Sequence, residues 1–271
     1  MKKLFLILLS ALALSCTAKD TLKVMSYNVR TSVKDDGENS WEIRKVATPA
    51  MLSEECPDIF GVQEARPDQL QYIADSCPDY ISFGVGRDGD DDGEHASIFY
   101  NKNVLKMLDG GTWWLSETPD VPSVGWDAKY PRTATWALME DLRNGKQFYF
   151  VNTHLDHKGA NARRNGLVMI VEKIKEMNPD IPMVLTGDFN VEPDDPCLED
   201  LDQMMQSARK VARNTTDMPS CNGWKRPATK TIDYIYINGF GAADSFQVLD
   251  KQYAGVPFIS DHFPVAATLV Y

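Results

Sequence analysis

Basic residues are scarce in this sequence of 271 residues. Lysine and arginine together number 28 against 39 aspartates and glutamates, which gives a formal net charge of −11. Proteins that hold nucleic acid through its phosphates usually carry a basic face. The balance therefore argues against tight, sequence-independent binding of DNA, although a local basic patch is compatible with it.

Cysteine is also sparse, and no two of the five cysteines have the CxxC spacing of a zinc site. A structural zinc ion is therefore not expected. Four cysteines follow Cys16, namely Cys56, Cys77, Cys197 and Cys221. An exported protein can form disulfides, but four cysteines allow three pairings and the sequence does not select one.

The sequence has no internal repeat, no low-complexity segment and no linker rich in proline, glycine or serine. Its length is sufficient for one large domain with a substantial core. We therefore predict one domain, which covers residues 22–271.

The N-terminus has the pattern of an export signal. Lys2 and Lys3 precede an apolar run over 4–14 that is too short to span a bilayer. The following "LALSC" resembles a bacterial lipobox, so we predict that residues 1–15 are a signal peptide and that Cys16 is lipidated. Ordinary cleavage, for example after Ala18, is the alternative.

Several expectations follow from a lipidated Cys16. Residues 16–21 would be a short tether, and loss of two lysines with residues 1–15 would change the net charge from −11 to −13. The protein would be exported and anchored to a bacterial membrane, on its periplasmic side or at the cell surface. We expect a monomer that contacts the membrane through this lipid only.

The remaining sequence predicts more hairpins than helical connections. Ser40 is predicted to cap a helix from Trp41 to about Cys56, and apolar spacing predicts a second helix from Asn161 to Met177. The predicted strands cover 21–30, 59–64, 96–101, 104–115, 181–187, 231–239, 243–249 and 263–271, with a hairpin over 133–155 that turns at Asn144-Gly145. This pattern favours an α+β layered sandwich over a doubly wound parallel sheet.

Polar side chains recur where the predicted strands end. In "VLTGDFNVEP" (184–193), Asp188 and Asn190 follow an apolar strand, and Asp233 lies inside the apolar "TIDYIYI". Each polar residue alone fits a turn or a cap, but a carboxylate among isoleucines and tyrosines needs a partner. The others at such positions are Asn28, Glu64, His154, Asp261 and His262. Together they indicate one site.

Seven segments make this pattern specific. "SYNVR", "GVQE", "GEHASIFY", "NTHLDH", "GDFN", "TIDYIYI" and "SDHFPV" resemble, in order and spacing, the endonuclease/exonuclease/phosphatase superfamily, over residues 21–271. This superfamily includes DNase I-like nucleases, inositol polyphosphate 5-phosphatases and bacterial sphingomyelinases. The resemblance implies a four-layer α/β/β/α sandwich with two mainly antiparallel sheets. It also implies metal-dependent phosphoester hydrolysis by in-line attack of water.

The resemblance implies which residues bind the metal ion and which residue acts on the attacking water. Glu64 would be the main Mg²⁺ ligand, with Asn28 and Asp261 beside it, and Mn²⁺ is the alternative ion. Carboxylate and amide oxygens suit either hard cation. Asp188 would orient or deprotonate the attacking water, and Asn190 would steady the phosphate.

The resemblance also assigns two histidine–carboxylate pairs. His262 would contact the phosphate while Asp233 holds it, because a carboxylate orients an imidazole and favours its charged form. His154 would be the second such histidine, with Glu94 as its carboxylate partner. A solvated acidic loop, next to the aspartates of 88–92, is the alternative interpretation of Glu94.

Two further segments supply candidate substrate contacts. In "GWDAKYPRTATW" (125–136), Trp126 could wall the pocket and Arg132 could contact a phosphate. Loop packing and a surface ion pair are the alternatives. In "THLDHKGANARR" (153–164), His157, Lys158 and Arg163 are the candidates, and a solvated helix face is the alternative for Arg163.

The sequence ranks the substrates without selecting one, and leaves a diester and a monoester equally open. A small or nucleotide-like phosphoester comes first, since it needs few cationic groups. A nucleic acid comes second because of the negative charge, and a phospholipid third because Trp113-Trp114 lies in a predicted strand. The non-enzymatic alternative is a surface glycan-binding lipoprotein with exposed tryptophans.

Overall fold

The structure is a computed structural model that describes residues 20–271. The predicted signal peptide, Cys16 and most of the predicted tether lie outside the described residues. Lipidation, export and membrane anchoring therefore stay predictions.

The described chain forms two β-sheets. In chain order the strands are β1 (Thr21–Asn28), β2 (Ile59–Gln63), β3 (Tyr80–Phe83), β4 (Ile98–Asn101), β5 (Leu105–Trp114), β6 (Thr133–Asp141), β7 (Gln147–His154), β8 (Met183–Asp188), β9 (Gln206–Ser207), β10 (Asn214–Thr215), β11 (Asp233–Asn238), β12 (Ala242–Val248) and β13 (Val265–Val270). The first sheet has the order β10-β12-β13-β1-β2-β4-β3, and the second has the order β5-β6-β7-β8-β11-β9. Most neighbours are antiparallel, but β1 runs parallel to β2 and β7 parallel to β8.

The helices lie between these strands in the chain. They are α1 (Trp41–Arg44), α2 (Ala47–Glu55), α3 (Pro67–Ser76), α4 (Ala160–Met177), α5 (Glu199–Met204) and α6 (Ala208–Val211), with short 3₁₀ turns at Gly37–Asn39 and Pro196–Leu198. Over residues 20–271, none of these helices combines the length and apolar character needed to cross a membrane.

Three apolar cores separate four layers. Residues alternate between the two faces of each strand, so Val24 of β1 packs between the sheets with Phe150 of β7, while Met25 faces outward to Met51 of α2. On the far side, Leu167 and its neighbours on α4 cover the second sheet. This arrangement confirms the predicted α/β/β/α sandwich, with sheets that are mixed rather than purely antiparallel.

The prediction of one helix from Trp41 to about Cys56 is wrong. The segment contains α1 and α2, and the side chain of Ser40 makes no capping hydrogen bond. Pro49 has no N–H to donate to the carbonyl of Lys45, and a proline ring clashes with the carbonyl four residues earlier in a continuous helix. The N–H of Thr48 donates to that carbonyl instead, at 3.1 Å, and the helix starts again.

Most other predicted elements are confirmed, including the turn at Asn144-Gly145 between β6 and β7. Helix α3 and strand β3 were not predicted, nor were the short elements between residues 196 and 215. Within the described part of the chain, Cys56, Cys77, Cys197 and Cys221 are all unpaired.

A buried polar layer lies between the sheets, at the end of the apolar core. Asn152 of β7 donates to the carbonyl of Val62 on the opposite sheet at 2.8 Å, and its Oδ1 accepts from Gln63 at 2.7 Å and from Thr186 at 3.1 Å. A Cβ atom at Gly61 would lie 2.1 Å from Oδ1 of Asn152. Glycine is therefore required at position 61 for the sheets to approach this closely.

We expect Gly61→Ala to lower the free energy of unfolding by about 2 kcal/mol or more, because overpacking of a close-packed interior forces neighbours to shift. Urea denaturation would measure the loss. Gly166→Ala is the matched control, since its new Cβ meets only the flexible end of Leu115 at 3.1 Å. Equal stability of the two variants would contradict this account of the sheet contact.

Candidate active site

The polar residues predicted from strand ends meet at one edge of the sandwich. In the second sheet, Asp188 of β8 lies opposite both Asp233 of β11 and His154 of β7. In the first sheet, parallel pairing places Asn28 beside the end of β2, directly before Glu64. Because these ends face the space between the sheets, both sheets contribute to a single cluster.

Asp188 lies at the centre of this cluster and is buried. Its Oδ2 accepts from Nδ2 of Asn28 at 3.0 Å, and its Oδ1 accepts from the backbone N–H of Asn190 at 2.9 Å. Oδ2 also lies 3.7 Å from Nε2 of His154 and 3.9 Å from Nδ1 of His262. Burial raises the pKa of Asp188 to about 7, against the effect of His262 and with that of Asp233.

His262 is held by Asp233, as predicted. Its Nδ1 donates to the two carboxylate oxygens at 2.9 and 3.1 Å, and the hydroxyl of Ser220 donates to the same carboxylate at 2.6 Å. Burial alone would lower the pKa of His262, but the charge and hydrogen bond of Asp233 raise it well above its ordinary value. The cluster therefore favours a protonated His262 whose Nε2 is its remaining donor.

The surroundings of His154 shift its pKa in the opposite direction from that of His262. Nδ2 of Asn190 donates to its Nε2 at 3.1 Å and to the carbonyl of Leu155 at 2.9 Å. Burial lowers the pKa of His154 well below its ordinary value, and the positive charge of Arg132 adds to this. A neutral imidazole that accepts at Nε2 fits both observations.

Glu94 was predicted as the carboxylate partner of His154, and the structure gives it a different partner. Its carboxylate accepts from Arg87 at 2.7 Å. Burial raises the pKa of Glu94, while the positive charge of Arg87 opposes this. Glu94 and His154 line the same recess, but no hydrogen bond joins them within residues 20–271.

Among the predicted metal ligands, Glu64 has a carboxylate oxygen within 4.8 Å of ligand atoms of Asp188 and His154. Oε1 of Glu64 accepts from Asn28 at 3.1 Å, and Nη1 of Arg30 lies 3.9 Å from Glu64 and 3.5 Å from Asp261. Burial raises the pKa of Asp261, against the effect of His262 and with that of Glu64. These two carboxylates together with Asp188 leave an excess of buried negative charge, which fits a divalent cation.

Asn28 is oriented as a donor to these carboxylates. Its Nδ2 faces Glu64 and Asp188, while its Oδ1 accepts from the backbone N–H of Arg30 at 2.9 Å. In this orientation Asn28 positions the carboxylates. A direct metal contact through its oxygen stays a prediction.

The backbone is strained at the site. Glu64 and Asn190 have φ values of 60° and 56°, and Arg30 has 54°. Residues with a Cβ adopt this region at a cost of roughly 1–2 kcal/mol each, and such residues cluster at functional sites. The sharp turns place Glu64 and Asn190 directly beyond β2 and β8.

Of the predicted substrate contacts, Arg132 lies deepest. It is 6% exposed, and it contacts Asp156 at 3.4 Å and Nδ1 of His157 at 3.3 Å. Burial alone would raise the pKa of Asp156, but backbone N–H groups and Arg132 lower it to about 2. Arg132 therefore forms a buried ion pair, not the surface pair considered as an alternative, and it lines the recess beside His154.

Of the other predicted substrate contacts, two lie at the rim of the recess and two pack against the protein. His157 and Lys158 are exposed near this recess, and the Lys158 ammonium has no partner in the described part of the chain. Arg163 is half-buried and donates to the carbonyl of Asp156 at 3.0 Å. Trp126 packs against the core under α4, which supports the packing interpretation.

The family model of the endonuclease/exonuclease/phosphatase family matches residues 25–262. The chain belongs to this family. Its members are phosphoester hydrolases, so the protein is an enzyme of that class, and the glycan-binding alternative loses its support. The seven segments that carried the resemblance supply the residues around Asp188.

Solved structures and a viral relative agree with this assignment. A mannosyl-6-phosphatase of Bacteroides thetaiotaomicron is 34% identical, with a TM-score of 0.88 over 92% of this chain and 100% of that one. A family member of Bacteroides vulgatus is 35% identical, with a TM-score of 0.87 over 93% and 99%. An uncharacterized protein of Acanthamoeba polyphaga mimivirus is 28% identical over 74% of this chain and 78% of its own length.

Four residues of the site were not predicted from the sequence. Arg30 lies inside the quoted "SYNVR" and Asn152 inside "NTHLDH", so their positions in the motifs were an available signal. Ser220 and Arg87 lie in segments that give no local indication of a polar partner. The roles of Asn152, Ser220 and Arg87 depend on contacts with Gln63, Asp233 and Glu94, which only the fold brings near.

In EDTA-treated protein, the pKa values of His262 and His154 should be shifted in opposite directions from the ordinary value. We expect the pKa of His262 above 6.5 and that of His154 below it, and Asp233→Asn should lower the pKa of His262. Protonated His262 stabilises the fold below about pH 6.5, and this stability is lost as the pH rises through its folded-state pKa.

NMR of the imidazole signals would measure both values, and single substitutions would assign the four histidines. His157→Gln is the control, because this exposed histidine makes no contact with Asp233. An unchanged pKa of His262 in Asp233→Asn would contradict the proposed electrostatics.

Proposed function

We propose that the protein is a Mg²⁺-dependent phosphatase that hydrolyses small phosphomonoesters. The observation that carries the proposal is the convergence of two groups that share Asp188, namely Glu64 with His154 and Asp188, and Asp188 with Asp233 and His262. They lie beside a small recess lined by two arginines. The similar mannosyl-6-phosphatase supports a monoester as the substrate.

Glu64 and Asp261 would hold the metal, with Asn28 orienting Glu64. A bound Mg²⁺ would neutralise negative charge on the phosphoryl oxygens. Asp188 can accept a proton from water near neutral pH, because its pKa is raised to about 7. Asn28 and the backbone N–H of Asn190 fix the direction of its carboxylate.

His262 would bind the phosphate as a cation. Its Nδ1 is occupied by Asp233, so Nε2–H is the group available to a phosphoryl oxygen. Neutral His154 accepts a hydrogen bond from Asn190 and also borders the site. Charge stabilisation and positioning of this kind are the main requirements of phosphoryl transfer.

The surroundings favour a small substrate. The recess beside His154 is small and is lined by Arg87, Glu94 and Arg132 among others. The net charge of −11 disfavours nucleic acid as the substrate. Trp113 stacks on Trp136 within the second sheet, at 5.3 Å between ring centroids, so it is not a membrane-inserting tip.

The proposal predicts Mg²⁺-dependent release of phosphate from p-nitrophenyl phosphate by residues 20–271. Asp188→Asn should lower kcat by at least about 100-fold, since a positioned proton acceptor contributes 10²–10⁴-fold. Asp217→Asn is the matched control, because the Asp217 side chain is 99% exposed.

Steady-state assays with Mg²⁺, with Mn²⁺ and with EDTA would measure the effect, with bis-p-nitrophenyl phosphate as the diester comparison. Faster hydrolysis of the diester would favour the nuclease-like alternative. Near-normal turnover by folded Asp188→Asn would remove Asp188 from the mechanism.

A further inference from the structure

One arginine is buried beside the loops that hold the predicted metal ligands. Arg44 is the last residue of α1 and is only 1% exposed. Taking a charged side chain out of water is costly unless polar groups surround it, so the partners of Arg44 indicate what it stabilises. The hydrolytic mechanism proposed above does not use this residue.

The guanidinium of Arg44 donates four hydrogen bonds, and all four acceptors are backbone carbonyls. Nη1 donates to Val29 at 2.6 Å and to Ile259 at 3.1 Å. Nη2 donates to Arg30 at 2.6 Å, and Nε donates to Asn39 at 3.0 Å. Because a guanidinium presents its donors in fixed directions, one planar group holds segments that are far apart in the sequence in a defined arrangement.

Two tryptophan rings restrict the position of this guanidinium. Its central carbon lies 5.1 Å from the ring centroid of Trp41 and 5.6 Å from that of Trp224. A guanidinium is weakly hydrated and packs favourably on aromatic rings. The carbonyls that Arg44 binds are therefore held by a side chain that is itself fixed.

The carbonyls of Val29 and Arg30 belong to the loop that positions Glu64. Nδ2 of Asn28, directly before Val29, donates to Oε1 of Glu64 at 3.1 Å. The backbone N–H of Thr31 donates to Oε2 of the same carboxylate at 3.2 Å. Both oxygens of this predicted ligand therefore depend on the path of the loop. The φ of 54° at Arg30 makes that path strained, so it needs external hydrogen bonds to persist.

The carbonyl of Ile259 belongs to the segment that carries Asp261, the other predicted carboxylate ligand. The backbone carbonyl of Asp261 accepts from the N–H of Asn222 at 2.8 Å, so the far end of this short segment is also held. The same Nη1 of Arg44 binds Val29 and Ile259. It therefore bridges the two backbone segments on which the two predicted carboxylate ligands depend.

We propose that Arg44 is a positioning residue of the metal site and that it sets the affinity of the site for Mg²⁺. Its hydrogen bonds to Val29 and Ile259 fix the separation of Glu64 and Asp261. The inference rests on the metal dependence of the proposed function. Groups that orient metal ligands without touching the metal typically change its affinity 10–100-fold when they are lost.

Charge and positioning make opposite predictions for the loss of Arg44. A positive charge near Asp261 repels a cation, so removal of the charge alone would strengthen Mg²⁺ binding. Loss of the bridge lets the two ligands separate, so it should weaken binding. Arg44→Met removes both the charge and the bridge, whereas Arg44→Lys keeps the charge and loses the planar fork.

Titration calorimetry with Mg²⁺, and with Mn²⁺, would measure the Kd of the wild type and of each variant without any substrate. We expect the Kd to rise about 10–100-fold in Arg44→Met and to rise in Arg44→Lys as well. A higher Mg²⁺ concentration should restore most of the turnover of p-nitrophenyl phosphate, because the bound ion itself then holds the two carboxylates together.

Arg143→Lys is the matched control. Arg143 also donates to a carbonyl of β1, that of Thr21 at 3.1 Å, and it forms ion pairs with Asp58 and Asp141 at 3.1 and 2.7 Å. Thr21 and Asn28 are the opposite ends of β1, so this variant should keep the Kd of the wild type. Thermal melting followed by circular dichroism would verify that each variant is folded.

Trp224→Leu decides the question if the Arg44 variants do not fold. It removes one ring from the guanidinium and leaves the four hydrogen bonds possible, so the Kd should rise by less than in Arg44→Met. An unchanged Kd in Trp224→Leu would then overturn the inference.

Other results separate this inference from the proposed function. An unchanged or lower Kd in folded Arg44→Met would overturn the positioning role, and so would an equal rise in Arg143→Lys. Absence of Mg²⁺ and Mn²⁺ binding by the wild type would overturn both the inference and the metal dependence of the proposed function. The expected order of Kd values without phosphate release from any phosphomonoester would support the role of Arg44 and overturn the proposed phosphatase activity.

Discussion

The hydrogen bond from Asn28 to Asp188 joins the two sheets at the point where the site forms. Asn28 ends a strand of the first sheet and Asp188 ends a strand of the second, and their side chains meet at 3.0 Å. The same Asn28 amide donates to Glu64, so one side chain sets the distance between the carboxylates of Asp188 and Glu64. Any change in the sheet separation would alter both contacts together.

The polar layer below this bond keeps that separation fixed. Asn152 spans the gap between the sheets, and Gly61 removes the side chain that would obstruct it. Both polar atoms of the Asn152 amide are hydrogen-bonded, and a buried amide left unpaired costs about 1–3 kcal/mol. The hydrogen bonds of the layer therefore hold the base of the active site rigidly. The apolar contacts in the core below it have no preferred direction.

Much of the site could be predicted from the sequence, because its main residues are local to their motifs. Asp188 and Asn190 follow one strand, and Asp233 is a carboxylate in an apolar run, so a partner had to exist. The four-layer fold was implied by the resemblance of seven short segments to the superfamily. The inferences about Asp188, Asn190 and Asp233 need only strand ends and nearest neighbours.

The features that were not predicted depend on contacts between segments that are distant in the sequence, or on a local signal that the prediction did not use. The pairing of Glu94 with Arg87 instead of His154 depends on the conformation of a hairpin, which "GRDGDDDGEH" does not reveal. The helix break follows from Pro49, whereas the prediction took only Pro57 as a stop signal. The burial of Arg132 requires Asp156 from the other side of the recess.

The proposed catalytic residues and the recess beside them belong largely to different parts of this chain. The proposed catalytic side chains lie at strand ends. The pairing of neighbouring strands fixes their positions there. The recess combines Thr133 of β6 and His154 of β7 with residues of a hairpin and of the end of a long loop, where the guanidinium of Arg87 lies 5.1 Å from the ring of Tyr130. Loop residues can change without disturbing strand register, because the ladder hydrogen bonds do not involve them. Substitutions in the hairpin and the loop can therefore leave the arrangement of Asn28, Asp188 and His262 unchanged.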